Sequence, residues 1–266
     1  KKSIESFTKY LQSFPKGLHA LKANFYLAQS LFSENQHTEA IPYYTYVINQ
    51  ERNEFTENAL SSLSQVHLEN NNWKSAIPIL ERLEKEGDLP QNITFSQSNL
   101  MKGYYANKNY NKAVSYAELV LQNTKLEDRI KSDAHVIIAR SAIKTNNEDK
   151  ARIAYKEVEK IAAGELKAEA LYYDAYFKNK DGSYSVSNEI VQKIAADYAA
   201  YKYWGAKGLI LMATNYYELQ DAYQATYILE SVLKNFAEFD DVVEEATKEL
   251  NRIKTEEAKT NESIKN

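Results

Sequence analysis

The sequence of 266 residues contains no cysteine, only seven glycines and only four prolines. Without cysteine the chain can form neither disulfides nor thiolate metal sites, and it has no cysteine nucleophile. So few glycines and prolines argue against a sheet protein with many tight turns and favour helices joined by short polar loops. No apolar run approaches the roughly 18 residues of a membrane-spanning helix; GLILMA at 208–213 is about the longest.

The charge balance is slightly acidic, with 33 Lys and Arg against 37 Asp and Glu and a formal net charge of -4. A nucleic-acid-binding protein usually carries a basic excess or a basic stripe, and neither is present. We therefore expect no nucleic-acid partner and no direct membrane span. The chain begins KKSIESF, without Met and without a signal peptide, so we expect upstream sequence that was removed by processing or cloning.

A sequence pattern that predicts two short helices recurs along the chain. Residues 20–48, ALKANFYLAQSLFSENQHTEAIPYYTYVI, contain two apolar stripes at helical spacing around the polar stretch SENQHT, and residues 57–83 repeat this plan with the same AIP. Each predicted helix has only about three turns, so a pair must bury its remaining apolar surface against a neighbouring pair. Pro42 is expected in or beside the first turn of its helix, which would then begin near Thr38.

A small residue near the start of each second helix marks the period. Its positions are Ser3, Ala40, Ala76, Ala113, Ala151, Ser187 and Ala225, separated by 36 to 38 residues. A bulky residue usually follows four positions later, as at Phe7, Tyr44 and Leu80. We expect the small residues to be buried where two helices cross. The pattern predicts an all-α, right-handed superhelical solenoid of antiparallel helix pairs with about 14 helices.

This pattern resembles the tetratricopeptide repeat (TPR), in which the first helix carries a Leu followed by a small residue. Here these two positions read Leu27-Ala28, Leu63-Ser64, Ile138-Ala139 and Met212-Ala213. The fifth pair fits worst, with Asp174 where Leu is expected. The resemblance covers nearly the whole chain and looks most like TPR proteins of the bacterial cell envelope, those of Bacteroidetes among them. It implies a protein-binding scaffold in the periplasm or envelope, with the cytoplasm as the alternative.

We interpret residues 1–266 as a single repeat array. Residues 1–14 are expected to form a partial repeat, 17–237 six helix pairs, and 240–258 a C-terminal capping helix with a polar outer face. Residues 259–266 are expected to be a frayed tail.

No motif predicts catalysis, a metal site or a cofactor. The four His residues, at positions 19, 37, 67 and 135, lie far apart, and none belongs to HExxH or another close ligand pair. There is no phosphate-binding Gly-rich motif, and DGS at 181–183 lacks the alternating acidic ligands of a calcium loop. We therefore expect no enzyme activity, no metal and no cofactor.

The predicted binding surface is the concave groove, because the first helices of a TPR array line it. By helical register its residues include Phe25, Gln29, Gln65, Lys102, Tyr105, Arg140, Tyr172, Tyr176, Thr214 and Tyr217. Tyr and Arg are enriched at binding hot spots, and the chain has 21 Tyr against 9 Phe. The alternative is that these tyrosines only fill gaps between helices. A TPR carboxylate clamp is not expected, because the first two pairs offer no Lys at the matching places.

Three functions remain open at this point. The leading hypothesis is a non-catalytic scaffold that binds a protein or peptide in the groove. The second is a self-assembling structural array that uses its ends, and the third is the helical accessory region of a larger enzyme.

Overall fold

The computed structural model describes the backbone of residues 2–265 and the side chains of residues 2–259. Over that range the chain forms 14 α-helices and no strand, which confirms the predicted all-α fold. The helices are α1 (Lys2–Ser13), α2 (Ala20–Ser33), α3 (His37–Ile48), α4 (Thr56–Glu69), α5 (Trp73–Glu86), α6 (Pro90–Ala106), α7 (Tyr110–Leu121), α8 (Asp128–Lys144), α9 (Glu148–Ile161), α10 (Gly164–Lys180), α11 (Tyr184–Asp197), α12 (Lys202–Glu218), α13 (Ala222–Asn235) and α14 (Asp240–Lys265).

The chain divides into two compact units, Lys1–Thr145 with α1–α8 and Asn146–Asn266 with α9–α14. Each unit has its own apolar core, built from consecutive helices that pack side by side. The single array over residues 1–266 stays a prediction.

The turns inside the helix pairs share one backbone geometry. The middle residue of the turn has a positive φ, as at Asn35 (60°), Asn71 (51°) and Gly182 (74°). Asn and Gly are among the residues that tolerate this left-handed conformation best. The last turn residue often caps the next helix, since the side chain of Asn72 accepts a hydrogen bond from the Ser75 backbone N–H. The polar turns seen in the sequence therefore both reverse the chain and start the second helix.

The small residues of the second helices are buried, as predicted. Ala40, Ala76, Ala113, Ala151, Ser187 and Ala225 are all 0% exposed. The first helix of the same pair crosses there, and the Ser187 hydroxyl donates to the Ala175 carbonyl of that helix at 2.8 Å. Ser3 is exposed, and within the described residues α1 has no preceding first helix to cover it.

The predicted start of α3 is confirmed to within one residue, and one helix end is corrected. α3 begins at His37, so Pro42 lies in the second turn, beside the first, and Pro78 occupies the same place in α5. Both prolines are on the exposed side, where water can hydrogen-bond the carbonyl that loses its partner. The last helix continues to Lys265, well past residue 258, because its final residues include no Gly or Pro to interrupt it. Of the predicted frayed tail, residue 266 lies outside the described range.

Within each unit the first helices form one layer and the second helices the other. α6 contacts α8 in the first unit, and α12 contacts both α10 and α14 in the second. No two second helices contact each other to the same extent in the described part of either unit. Where first helices approach each other in this way, the stack curves towards them. We call this inner surface, formed by α2, α4, α6 and α8 in one unit and α10, α12 and α14 in the other, the first-helix face.

Candidate functional site

In the first unit the first-helix face is polar. Gln29 and Gln65 are exposed, and the Gln65 side-chain amide donates to Glu69 at 3.1 Å. Lys102 is half-buried and its ammonium lies 2.5 Å from Asp133 of α8. Beside this ion pair α6 and α8 enclose an open depression of about 460 Å³, lined by residues that include Lys102 and Arg129. This surface offers amide and ammonium donors at the spacing of the repeat.

In the second unit the same face carries half-buried tyrosines and ion pairs. The Lys180 ammonium lies 5.4 Å from the centre of the Tyr176 ring, and the Arg252 guanidinium lies 5.0 Å from that of Tyr217. The Thr214 hydroxyl donates to Glu249 at 3.1 Å. Cations placed over aromatic faces are attracted by the ring quadrupole, so these contacts hold the tyrosine rings in place.

Carboxylates of α14 are neutralised by donors from α12 and from α14 itself. Lys207 pairs with Glu245, and the Tyr203 hydroxyl donates to Asp241 at 2.8 Å. A hydrogen bond from Arg252 is the largest influence on Glu249 and lowers the pKa of that carboxyl. The pKa of Tyr217 is raised by burial first and by its hydrogen bond to Glu256 second. The α12–α14 strip thus presents paired charges around a tyrosine.

Two predicted groove residues are buried in the cores and present almost no side chain to a partner. Phe25 is 4% exposed and stacks on Phe55 with ring centres 4.4 Å apart. Tyr172 is 7% exposed and its ring lies 5.4 Å from Trp204, and burial raises the pKa of its hydroxyl. Both are covered because an aromatic residue lies at or near the start of the next first helix, which the register within a single helix does not reveal.

Two other predicted residues lie on the face of the first unit but are half-buried. Tyr105 makes an edge-on contact with Tyr110 of α7, with ring centres 5.7 Å apart. Arg140 lies on α8, one position after the buried Ala139. The structure thus places Gln29, Gln65, Lys102, Tyr105, Arg140, Tyr176, Thr214 and Tyr217 on first helices with unburied side chains, shared between the two units. Their role in binding stays a prediction.

A cleft between α9 and α10 was not predicted as a site. Asp174 lies in it, half-buried, and its carboxyl pKa is raised by burial first and by the neighbouring Glu159 second. The sequence carries a signal of it, since Asp174 occupies a position where Leu is expected, but a departure from the repeat does not by itself indicate a cleft.

The outer surface of the second unit carries exposed tyrosines. Tyr223 and Tyr227 of α13 are 80% and 61% exposed, and they lie one helical turn apart on a second helix. They belong to the layer opposite the first-helix face. In the described residues, no helix has the length and apolar character that crossing a bilayer requires.

No protein-family profile and no curated protein matches this chain. Solved structures do. The apo form of RapI aligns with 92% of this chain and 73% of its own, at 14% identity and a TM-score of 0.58. A signal-transduction ATPase with a TPR sensor from Pyrococcus horikoshii aligns with 96% of this chain and 43% of its own, at 15% identity and a TM-score of 0.57.

The pilF protein of Pseudomonas aeruginosa aligns with 87% of this chain and 98% of its own, at 14% identity and a TM-score of 0.51. The fold is a TPR fold. At such identities the likeness extends to the fold alone, so the function of this chain has to be argued from its own surface.

Proposed function

We propose that this protein is a non-catalytic scaffold that binds a protein or peptide along its first-helix face. The observation that carries the proposal is a row of unburied side chains at one repeat position. Gln29, Gln65, Lys102 and Arg140 occupy it in the first unit, and Tyr176 and Thr214 in the second. The residue just before each of them is 0% exposed. The core therefore holds each helix in a register that turns this row to solvent.

The chemistry of the row differs between the two units. In the first unit the amides of Gln29 and Gln65 can both donate and accept hydrogen bonds, which suits the main chain of an extended peptide. In the second unit Tyr176 and Tyr217 offer large surfaces that lose little conformational entropy on binding. A protein segment with an exposed main chain and apolar side chains fits both surfaces better than a nucleic acid, which would need a basic stripe.

The TPR fold supports a binding role without naming a partner. One similar structure is described as Naa15/Naa10 bound to HypK-THB; it aligns with 94% of this chain and 39% of its own, at 15% identity and a TM-score of 0.50. For this chain we propose a protein or peptide partner in a bacterial cell envelope, on the strength of the resemblance to envelope TPR proteins. A self-assembling array and an accessory region of a larger enzyme are the alternatives.

The test compares two pairs of tyrosine substitutions in the same unit. Tyr176→Ala with Tyr217→Ala removes rings from the first-helix face, and Tyr223→Ala with Tyr227→Ala removes two from the outer surface. Each tagged variant captures partners from an envelope extract of the source cell, with mass spectrometry as the readout. Loss of two hot-spot residues should weaken capture by at least about 2 kcal/mol, while circular dichroism stays unchanged.

The outer-surface pair is the matched control and should capture the partner as the unsubstituted protein does. Loss of capture only in the outer-surface variant would overturn the first-helix proposal. Sedimentation that depends on protein concentration, with no captured partner, would favour the self-assembling array.

A further inference from the structure

The seam between α9 and α10 is open. It encloses a cleft of about 130 Å³ whose lining includes Arg152, Lys156, Glu159, Asp174 and Lys178. Both helices belong to the second unit. A cavity of about 150 Å³ can hold benzene, so the cleft has room for one side chain or a chain end.

The cleft exists because α10 carries polar residues at two successive seam positions, the first of which is apolar in the other described first helices. At the position of Asp174 the other first helices carry Leu27, Leu63, Leu100, Ile138, Met212 and Leu250, each at most 8% exposed. One turn later Tyr104 is 5% exposed on α6, and Lys178 stands in its place on α10. Replacing a buried Leu and a ring by Asp and Lys leaves space that apolar atoms fill elsewhere.

Three of the charged groups that line the cleft already have partners. Arg152 donates to both carboxylate oxygens of Asp181, at 3.0 and 2.8 Å, and also pairs with Glu148 at 2.6 Å. Glu159 accepts from Lys167 at 3.1 Å. These pairs form the frame of the cleft.

The remaining three groups are Asp174, Lys156 and Lys178. Among the described residues none of them makes a hydrogen bond or an ion pair. Lys156 is exposed and Lys178 half-buried, and both lie close enough to Asp174 to act on its charge. Lys156 and Lys178 are thus the two ammonium groups at the cleft that have no ion-pair partner, and each can pair with an anion.

We propose that this cleft binds a carboxylate group of a partner, either an acidic side chain or a chain end, between Lys156 and Lys178. The ring of Phe177 and the methyl group of Ala170 line the same cleft and can pack against the methylene groups that carry the carboxylate. Asp174 takes up one proton from solvent and donates its O–H to the bound carboxylate, because two adjacent carboxylates would repel.

The surroundings of Asp174 favour that proton. Burial, and then the charge of Glu159, raise its pKa before any ligand is present. The site is separate from the first-helix face, since it uses a second helix and seam positions of α10. A test of carboxylate binding at the cleft therefore neither supports nor contradicts the function proposed for the first-helix face.

The experiment is an NMR titration of amide signals in the full chain. The probes are N-acetylglutamate N-methylamide for an acidic side chain, N-acetylalanine for a chain end, and the corresponding glutamine and lysine derivatives as neutral and cationic controls. At least one carboxylate probe should produce saturable shifts at Asp174, Phe177 and Lys178, and neither control should. If no carboxylate probe shifts these signals at about 50 mM, where only very weak binding would be missed, the proposal is wrong.

Substitutions test the assigned roles. Asp174→Asn supplies a permanent donor and removes the repelling charge, so it should bind the carboxylate probe about fivefold tighter or more. Lys156→Gln with Lys178→Gln should weaken binding about tenfold. The matched pair Lys160→Gln and Lys193→Gln lies in the same unit outside the cleft and should leave binding of the carboxylate probe unchanged. Weaker binding in Asp174→Asn, or binding of the lysine probe instead, would assign the cleft to a cation and overturn the proposal.

Discussion

Asp174 shows how one residue can depart from a repeat without disrupting it. Its carboxyl is half-buried at a position where Leu27, Leu63 and Met212 fill the core. Burial disfavours the charged form, and Glu159 adds to this effect, so the residue lowers the stability of the fold when it is ionised. That loss is consistent with a residue kept for a ligand rather than for packing.

This gives a pH-dependent prediction for Asp174→Asn. The folded-state pKa lies above the usual value of 3.8, so protonation favours the fold. That contribution is complete below the unfolded-state pKa and is lost as pH rises through the raised folded value. The amide stays neutral, so the variant should be the more stable protein at neutral pH, and its advantage should shrink towards about pH 4.

Urea unfolding at several pH values measures this difference. The exposed Glu189 on α11 provides a control, and Glu189→Gln should show no comparable change with pH. An advantage of Asp174→Asn that stayed constant, or that grew as pH fell, would contradict the assignment.

A helix cap gives a second prediction at this scale. The Asp221 side chain accepts a hydrogen bond from the Gln224 backbone N–H at 2.9 Å at the start of α13. Asp221→Ala leaves that N–H without its partner and should lower the free energy of unfolding by about 1 kcal/mol. Asp221→Asn keeps an acceptor oxygen and should lie close to the unsubstituted protein in the same urea titration. Equal losses in both variants would show that charge, not capping, is responsible.

At the scale of the helix, the crossing inside each pair depends on one small residue. Ala76 of α5 is 0% exposed, and the same position in α11 is filled by Ser187, also 0% exposed. The next seam, between α5 and α6, is also close, since a Cβ added at Gly103 of α6 would lie 2.8 Å from the Trp73 ring. The size of the side chains at these crossings therefore sets the distance between the two helices.

Enlarging that residue should destabilise the pair. Ala76→Leu adds a branched side chain where none fits, and it should lower the free energy of unfolding by about 1–3 kcal/mol. Ala76→Ser introduces the residue that α11 carries at the equivalent position, Ser187. It serves as the control, with a smaller expected loss in the free energy of unfolding. Chemical denaturation of both variants measures the difference, and a Leu variant as stable as the Ser variant would show that the crossing is not closely packed.

At the scale of the whole molecule, stability should be distributed over neighbouring helices. Consecutive helices make most of the contacts within each unit, as expected for a solenoid in which a repeat touches only its neighbours. A change in one pair should therefore loosen that pair and those next to it and leave more distant pairs protected.

Hydrogen exchange can test this within the first unit. Ala40→Leu should accelerate amide exchange in α2, α3 and α4, which surround the crossing, and leave α6 to α8 close to their original protection. Ala113→Leu in α7 provides the reciprocal variant, with the loss expected in α6 to α8. Uniform acceleration through the whole unit in both variants would mean that it unfolds as one cooperative body instead.

The sequence by itself determined the period, the helical class and the buried small residues. These depend on apolar spacing along one helix and on the room available where two helices cross, and both can be inferred from the residue types alone. Ala40, Ala76 and Ala113 are accordingly buried as predicted. The end of α14 could not be predicted as well, because nothing in the sequence marks where the helix stops.

Only the tertiary structure decided which groove residues stay uncovered and where a cleft opens. Phe25 and Tyr172 share a register with Tyr176, yet both are buried because Phe55 and Trp204 from the next repeat cover them. The α9–α10 cleft likewise opens where Asp174 and Lys178 of α10 do not fill the space towards α9. Helical periodicity predicts the direction in which a side chain points from the axis of its own helix. Whether that side chain is buried depends on which residues of the neighbouring helix lie over it.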